Sequence, residues 1–395
     1  MVGSLLLKQV RSRPNLERAW RVVEDNSRFS GSETIRLEVD IFREKYSTNI
    51  RTISDQLREG RYKFQPARGV PIAKAGNKKS SDFRPLVVAS VGSRIVQRSI
   101  LDVLTSIDDL KPYFQNSNSF GGIKKAKGQH LAAVPAAIRE VLSAIGDGAT
   151  HVVCADISGF FTKISKSAVV SIIEKVVTDR EFIDLLNLAI KVELSNMAEL
   201  RERADRFPIY DIGVAQGSSL SPLLGNIILS DFDKKMNEGD CRCIRYIDDF
   251  IILAPTKKAA AARMRIASAH LAALEMSLSK EKTHVEPRSI LDGFDFLGIE
   301  LKNGLIRPSN KAQKRIIKSI EDSFKESSSA FKARRGGAEL HKSQSLLGTL
   351  RRVDGVIQGW GKHCSFCNDE AAFATLDAAI SNMLRRYIGI YSAEI

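Results

Sequence analysis

The chain has 395 residues, which is enough for two or three domains with apolar cores. Its 60 Lys and Arg outnumber its 46 Asp and Glu, and the resulting net charge of +14 indicates a nucleic-acid-binding protein rather than a merely soluble one. The first residues do not resemble a secretory leader, and no apolar run approaches the roughly 18 residues that cross a bilayer. With five cysteines, an odd number, this composition predicts a cytoplasmic protein with reduced thiols and no membrane partner.

A loop between two β-prone runs is the first clear feature of the chain. The loop covers 74–82 (KAGNKKSSD) and is rich in Gly, Ser and Lys. The run before it begins at Val70, and the run after it contains Arg84. Gly and Ser at this density favour irregular backbone, so the segment predicts two strands joined by a loop with several cationic side chains.

An apolar strand that ends in an acid follows in the middle of the chain. The stretch His151–Asp156 is of the buried type and is followed closely by Phe160 and Phe161. Further on, 213–229 combines Gly, Ser and Gln216 ahead of an apolar run. That composition predicts a tight turn before a helix.

Two adjacent acids lie between two more β-prone runs in Cys243–Leu253. The pattern predicts a β-hairpin with Asp248 and Asp249 at its tip. Neighbouring carboxylates repel each other unless a cation neutralises them, although an acidic pair in a turn is often only solvated. Together with Asp156 they predict a site for two divalent ions, which Mg²⁺ fits because it binds carboxylates, water and phosphates.

Basic amphipathic helices dominate the chain beyond a domain boundary that we place near residue 302. Within 311–325, Lys and Ile fall on two separate stripes at helical spacing, so one face can pack while the other follows phosphates. Two further apolar stripes, 346–360 and 373–387, predict a small helical bundle. The Ser-rich stretch Ser327–Gly337 predicts a mobile connection.

The five cysteines include two close pairs, which raise the question of a zinc site. Cys364 and Cys367 follow His363, and the other pair is Cys241 and Cys243. The second pair has the wrong spacing for a zinc knuckle and lies beside the acidic hairpin. Packed free cysteines are therefore the favoured interpretation.

In this order, the motifs resemble those of the reverse transcriptases, in particular the prokaryotic group that includes group II intron enzymes and defence-associated enzymes. The matching stretches are, in family order, Gly60–Phe64, Val70–Lys74, Arg84–Leu86 and Arg94–Gln97 in the fingers, then Asp156–Phe161, Gln216–Pro222, Tyr246–Asp249, Leu278–Thr283 and Phe294–Gly298 in the palm. The chain departs from the family pattern at Ile247, where Ala is usual, and at Ser119–Ile123, which puts close kinship with intron enzymes in question.

The resemblance implies an α+β fold, the right-hand polymerase with fingers, palm and thumb. The fingers, with N-terminal helices, would cover 1–125, and the palm, with an antiparallel sheet and the catalytic residues, would cover 126–302. An α-helical thumb would cover 303–395.

The resemblance also implies roles for particular residues. Asp156, Asp248 and Asp249 would be catalytic and would hold two Mg²⁺ or Mn²⁺ ions, while Lys282 would donate a proton to the departing pyrophosphate. Residues implied to bind the nucleotide are Lys74, Arg84, Phe161, Gln216 and Gly217, those of the primer grip are Phe296, Leu297 and Gly298, and those that bind nucleic acid are Lys311, Lys314 and Lys318. Phe161 would exclude the ribose 2′-hydroxyl and Phe160 would pack in the core, although the two could be exchanged.

The implied activity is RNA-directed DNA synthesis from deoxynucleoside triphosphates. Because we find no domain for intron mobility or integration in the sequence, we expect a free-standing bacterial enzyme that copies a dedicated, structured non-coding RNA into a DNA product in anti-phage defence. An oligomer or a partner subunit is compatible with this expectation. The alternatives are a group II intron-type reverse transcriptase or maturase relative, and a non-catalytic RNA-binding protein on the same fold. The phenylalanine at the sugar disfavours a polymerase that makes RNA.

Overall fold

A computed structural model describes residues 4–28, 30–73, 83–122, 131–281, 283, 286–334 and 339–392. The predicted loop 74–82 lies outside the described residues, and so do the two predicted site residues Lys74 and Lys282. None of the helices in the described part of the chain has the length and hydrophobicity that a bilayer-spanning segment needs.

Helices and strands are interspersed along the chain. The helices are α1 (Leu5–Arg11), α2 (Arg13–Ser27), α3 (Glu33–Glu44), α4 (Tyr46–Arg58), α5 (Val91–Leu104), α6 (Ala133–Gly146), α7 (Lys166–Glu174), α8 (Arg180–Ile190), α9 (Met197–Leu200), α10 (Ser221–Ile228), α11 (Ser230–Met236), α12 (Lys257–Ala273), α13 (Asn310–Arg334), α14 (Leu346–Cys364) and α15 (Glu370–Ser392). The strands are β1 (Arg68–Ala73), β2 (Phe83–Val88), β3 (Ser119–Phe120), β4 (His151–Asp156), β5 (Arg242–Tyr246), β6 (Asp249–Ala254), β7 (Arg288–Ser289), β8 (Phe294–Phe296), β9 (Ile299–Lys302) and β10 (Leu305–Pro308). This mixture of helices with antiparallel strand pairs confirms the expected α+β class.

The chain divides into two compact units, each built from separate stretches of sequence. The first unit consists of Met1–Lys124, Asp156–Glu238 and Ile266–Lys282. The second unit consists of Lys125–Ala155, Gly239–Arg265 and Thr283–Ile395.

In the first unit, helices α2 and α5 pack together, and the strands β1 and β2 form an antiparallel pair. Along β2 the side chains alternate between buried and outward-facing, so Phe83 and Val87 enter an apolar cluster with Phe207 while Arg84 is exposed. The guanidinium carbon of Arg206 lies 4.6 Å from the centre of the Phe83 ring, which adds a cation–π contact to this cluster. The alternation therefore fixes the direction in which Arg84 projects.

In the second unit, four strands follow each other in the order β5-β6-β4-β7. The backbone N–H of Thr150 donates to the carbonyl of Ala254 at 2.9 Å, so β4 begins beside the end of β6. Helix α6 packs against β5 and β6, and a smaller antiparallel sheet has the order β10-β9-β8.

Helices α13, α14 and α15 pack around one apolar core, and this confirms the predicted helical bundle. The predicted mobile connection at Ser327–Gly337 is wrong for its first part, because α13 continues to Arg334. Ser327 is fully buried, and its hydroxyl oxygen lies 2.8 Å from that of Tyr387 and 3.1 Å from that of Tyr391. Ser327 can therefore continue the buried stripe of α13, because two tyrosines on α15 form hydrogen bonds with its hydroxyl.

Candidate active site

The predicted acid-bearing strand and the predicted acidic hairpin both form. Asp156 is the last residue of β4, and its side chain is 5% exposed. In the first unit, the backbone N–H of Ser279 donates to the Asp156 carbonyl at 2.8 Å, and Ile157 pairs with Leu278. The stretch that resembles the fourth family motif therefore holds the backbone at the first acid.

Strands β5 and β6 form a hairpin in which Tyr246 pairs with Asp249. Only Ile247 and Asp248 lie between the two strands, and both acids are half-buried. Ile247 has a φ of 60°, a conformation that glycine adopts easily and a β-branched residue rarely adopts. The turn that presents the two acids is therefore strained, as backbone at functional sites often is.

Arg245 is a site residue that sequence reasoning missed. Its side chain is fully buried, and one guanidinium nitrogen donates to the Ile247 carbonyl at 2.8 Å. This hydrogen bond spans the strained turn and restrains it. The signal that could have identified it is an arginine next to the acidic turn, within the apolar arm that begins at Cys243.

The three acids offer only carboxylate oxygens, which are the ligands that Mg²⁺ and Mn²⁺ prefer. Among the described residues, no group of three or more His, Cys, Asp or Glu is placed as a complete metal-ligand cluster. A Mg²⁺ ion at a site of phosphoryl transfer takes part of its shell from water and substrate phosphates. The donor chemistry of Asp156, Asp248 and Asp249 thus fits the implied ions.

The two neighbouring phenylalanines differ in burial. Phe160 is 2% exposed, and a Cβ on Gly225 of α10 would lie 2.7 Å from its ring, so the ring packs directly on that helix. Phe161 is half-buried, and its carbonyl accepts a hydrogen bond from the Val214 N–H at 2.7 Å. The burial of the two rings therefore agrees with the assignment of Phe160 to the core and of Phe161 to the outward-facing position.

The Gln216–Gly217 turn lies against β2 in the first unit. The Val87 N–H donates to the Gln216 carbonyl at 2.8 Å. Gly217 has a φ of +116°, and a Cβ there would lie 2.6 Å from the Val87 carbonyl oxygen. The close approach and the backbone conformation both require glycine. The contact brings the turn next to the strand that carries Arg84.

The predicted primer grip is a second tight hairpin. Phe296 is buried at the end of β8, and the following Leu297 and Gly298 both have positive φ, at 53° and 81°. Two left-handed central residues are typical of a type I′ turn, which suits the twist of paired strands. The Ser309 N–H donates to the Gly298 carbonyl at 2.8 Å, which links the turn to the start of α13.

The three thumb lysines, Lys311, Lys314 and Lys318, are exposed on α13. The Lys318 ammonium lies 3.0 Å from the Asp322 carboxylate, an exposed pair of the kind that contributes little to stability. Ile316 and Ile320, on the other stripe of the helix, are buried as predicted.

The predicted site residues are divided between the two units. Asp156, Arg84, Phe161, Gln216 and Gly217 belong to the first unit, and Asp248, Asp249, Phe296, Leu297, Gly298 and the thumb lysines belong to the second.

Comparisons of the sequence with known proteins indicate one family. The sequence profile described as reverse transcriptase (RNA-dependent DNA polymerase) matches residues 74–301, more than half of this chain. The protein YkfC of Escherichia coli K12 is 26% identical over 315 residues, which are 70% of this chain and 76% of YkfC. The group II intron-encoded protein LtrA of Lactococcus lactis is 29% identical over 185 residues, which are 47% of this chain and 28% of LtrA.

Solved structures show weaker likeness. A partial Cas6-RT-Cas1–Cas2 complex is 18% identical with a TM-score of 0.38, and covers 69% of this chain and 43% of that chain. Apo telomerase from Candida tropicalis is 15% identical with a TM-score of 0.45, and covers 89% of this chain and 67% of that chain. The chain thus spans less than half of LtrA and of the first of these solved chains.

Proposed function

Because this chain belongs to the reverse transcriptase family of RNA-dependent DNA polymerases, we propose that it extends a primer with deoxynucleotides on an RNA template. The family match confirms the resemblance and the enzyme class that the motifs predicted. Template, primer, metal use and biological role belong to the proposal.

The observation that carries the proposal is the β5–β6 hairpin, whose strained two-residue turn presents Asp248 and opens β6 at Asp249. We assign Asp156, Asp248 and Asp249 as ligands of two divalent ions. When bound, such ions activate the primer 3′-hydroxyl and neutralise charge on the leaving pyrophosphate. The restraint from Arg245 keeps the two hairpin acids in one geometry without rearrangement during each cycle.

We assign the incoming nucleotide to the Gln216–Gly217 turn and Arg84. An exposed guanidinium can bind a triphosphate with a planar fork of donors. The absence of a side chain at Gly217 lets the backbone lie close to β2. In this proposal Gln216 lies beside the sugar of the incoming nucleotide. Phe161 then occupies the space that a 2′-hydroxyl would need. The pyrophosphate proton donor in this proposal, Lys282, and the second triphosphate cation, Lys74, lie outside the described residues.

The template that we propose is a dedicated, structured RNA, and the role is anti-phage defence in the bacterial cytoplasm. Support comes from the net charge of +14 and from the exposed thumb lysines, which would hold a polyanion through its phosphates. The second candidate is an intron-type enzyme, which the partial similarity to LtrA favours.

Three measurements test these proposals. Purified protein should extend a DNA primer on an RNA template with Mg²⁺ or Mn²⁺, and absence of extension with either ion would refute the activity. Sequencing of RNA that copurifies with the protein should yield one discrete species for the defence role, whereas the RNA of an intron would favour the second candidate. Phage resistance should disappear in the Asp248→Ala/Asp249→Ala variant, and a locus that protects equally well with both changes refutes the defence role.

A further inference from the structure

Arg288 is an exposed cation on β7, the strand at the edge of the β5-β6-β4-β7 sheet. It pairs with Val152 of β4 in antiparallel register. The family motifs quoted above do not include it, and the proposed reaction has not used it.

Strand geometry determines the face on which Arg288 lies. Residues directly opposite each other on paired strands project to the same face, and so do residues two apart on one strand. Arg288 therefore shares a face with Val152 and Cys154. The Cys154 thiol donates to the Asp295 carbonyl at 3.6 Å, so β8, the strand of the primer grip, covers this same face.

Arg288 acts electrostatically on Asp295 of β8, the residue whose carbonyl accepts from the Cys154 thiol. Desolvation raises the pKa of Asp295, and Arg288 is among the cations that oppose this shift. Arg288 thus lies near the strand of the primer grip, and it makes no ion pair with any residue that the structure describes.

We propose that Arg288 binds a backbone phosphate of the primer strand behind its 3′ end. This inference rests on the proposed function, which assigns the primer terminus to the acidic hairpin and the strand behind it to the primer grip. An exposed guanidinium on this face, beside the strand of the primer grip, can meet the anion that the primer carries, and its fork of donors fits a phosphate.

Primers with single neutral methylphosphonate linkages test this contact. We would measure the dissociation constant of each primer–template with the wild type and with Arg288→Ala, moving the neutral linkage through the six steps behind the 3′ end. The wild type should lose about tenfold to a hundredfold in affinity when the contacted phosphate is neutral, as expected for a charge-assisted hydrogen bond. Arg288→Ala should bind an unmodified primer more weakly than the wild type by a similar factor. Neutralising the contacted linkage should not weaken this variant further, because the contact is already absent.

Two further variants separate a phosphate contact from a structural role. Arg288→Lys keeps the charge and should recover most of the affinity while retaining sensitivity to the same linkage. Arg139→Ala removes an exposed arginine from α6 and should leave the linkage profile of the wild type unchanged. If every neutral linkage weakens binding by Arg288→Ala as much as binding by the wild type, while the wild type extends unmodified primers, the inference is wrong and the proposed function stands. If the wild type neither binds nor extends a primer–template, both fall together.

Discussion

Replacing Gly217 with alanine tests the turn that we assign to the incoming nucleotide. With φ at +116°, alanine would cost about 1–3 kcal/mol in backbone strain, of which the reduced freedom of the unfolded chain offsets about 0.4–1 kcal/mol. The new Cβ would also lie 2.6 Å from the Val87 carbonyl oxygen, and no side-chain rotation relieves a contact with backbone. Such an overlap adds about 1–3 kcal/mol, so we expect a loss of about 3 kcal/mol in stability.

A matched glycine separates strain from overlap. Gly148 has a similar φ of +103°, but an added Cβ would meet nothing within 4 Å, so Gly148→Ala should cost only about 1 kcal/mol. Urea unfolding followed by circular dichroism would compare the two variants, and the KM for deoxynucleotides would show whether the shifted turn also impairs binding. Equal destabilisation by both variants, or an unchanged KM in Gly217→Ala, would refute the reasoning.

Three other predictions have defined outcomes. Phe161→Ala should allow ribonucleotides to compete in single-nucleotide incorporation, whereas Phe160→Ala should cost about 3–5 kcal/mol in stability; relaxed discrimination only in Phe160→Ala would mean that the two roles are exchanged. Changing the thumb lysines to Gln should reduce the slope of log affinity against log salt by about 0.9 for each duplex phosphate that the protein no longer neutralises, and an unchanged slope would place the grip elsewhere. Cys154, with its thiol pKa raised to about 12, stays protonated at pH 8, so mass spectrometry should find its alkylation at least about a hundredfold slower than that of an exposed thiol. Alkylation at the rate of an exposed thiol would contradict the desolvation that raises this pKa.

The features predicted well from the sequence are those with a local, periodic signal. Apolar runs bounded by acids predicted β4 and the β5–β6 hairpin, and stripes at helical spacing predicted α13, α14 and α15. In each case, the residues that determine the element lie within a few positions of one another. Contacts with distant parts of the chain therefore do not change the local preference.

Features that depend on distant partners could not be predicted in this way. The Ser-rich composition from Ser327 onward predicts a loop, since the two residues that bond the buried Ser327 hydroxyl, Tyr387 and Tyr391, are far away in sequence. Arg288 acquires its position only when β7 pairs with β4. The left-handed conformation of Ile247 is equally invisible, since nothing in an isoleucine signals positive φ.

Single-nucleotide incorporation on an RNA template tests the central claim most directly. The wild type should add one deoxynucleotide to a DNA primer in the presence of Mg²⁺. Asp156→Asn and Asp248→Asn, which keep the shape of the side chain and remove its charge, should each lose activity by a factor of about a thousand or more while the protein stays folded. Asp147→Asn, an exposed acid before β4, serves as the control and should match the wild type. Incorporation by either active-site variant at the rate of the wild type would contradict the assignment of these carboxylates.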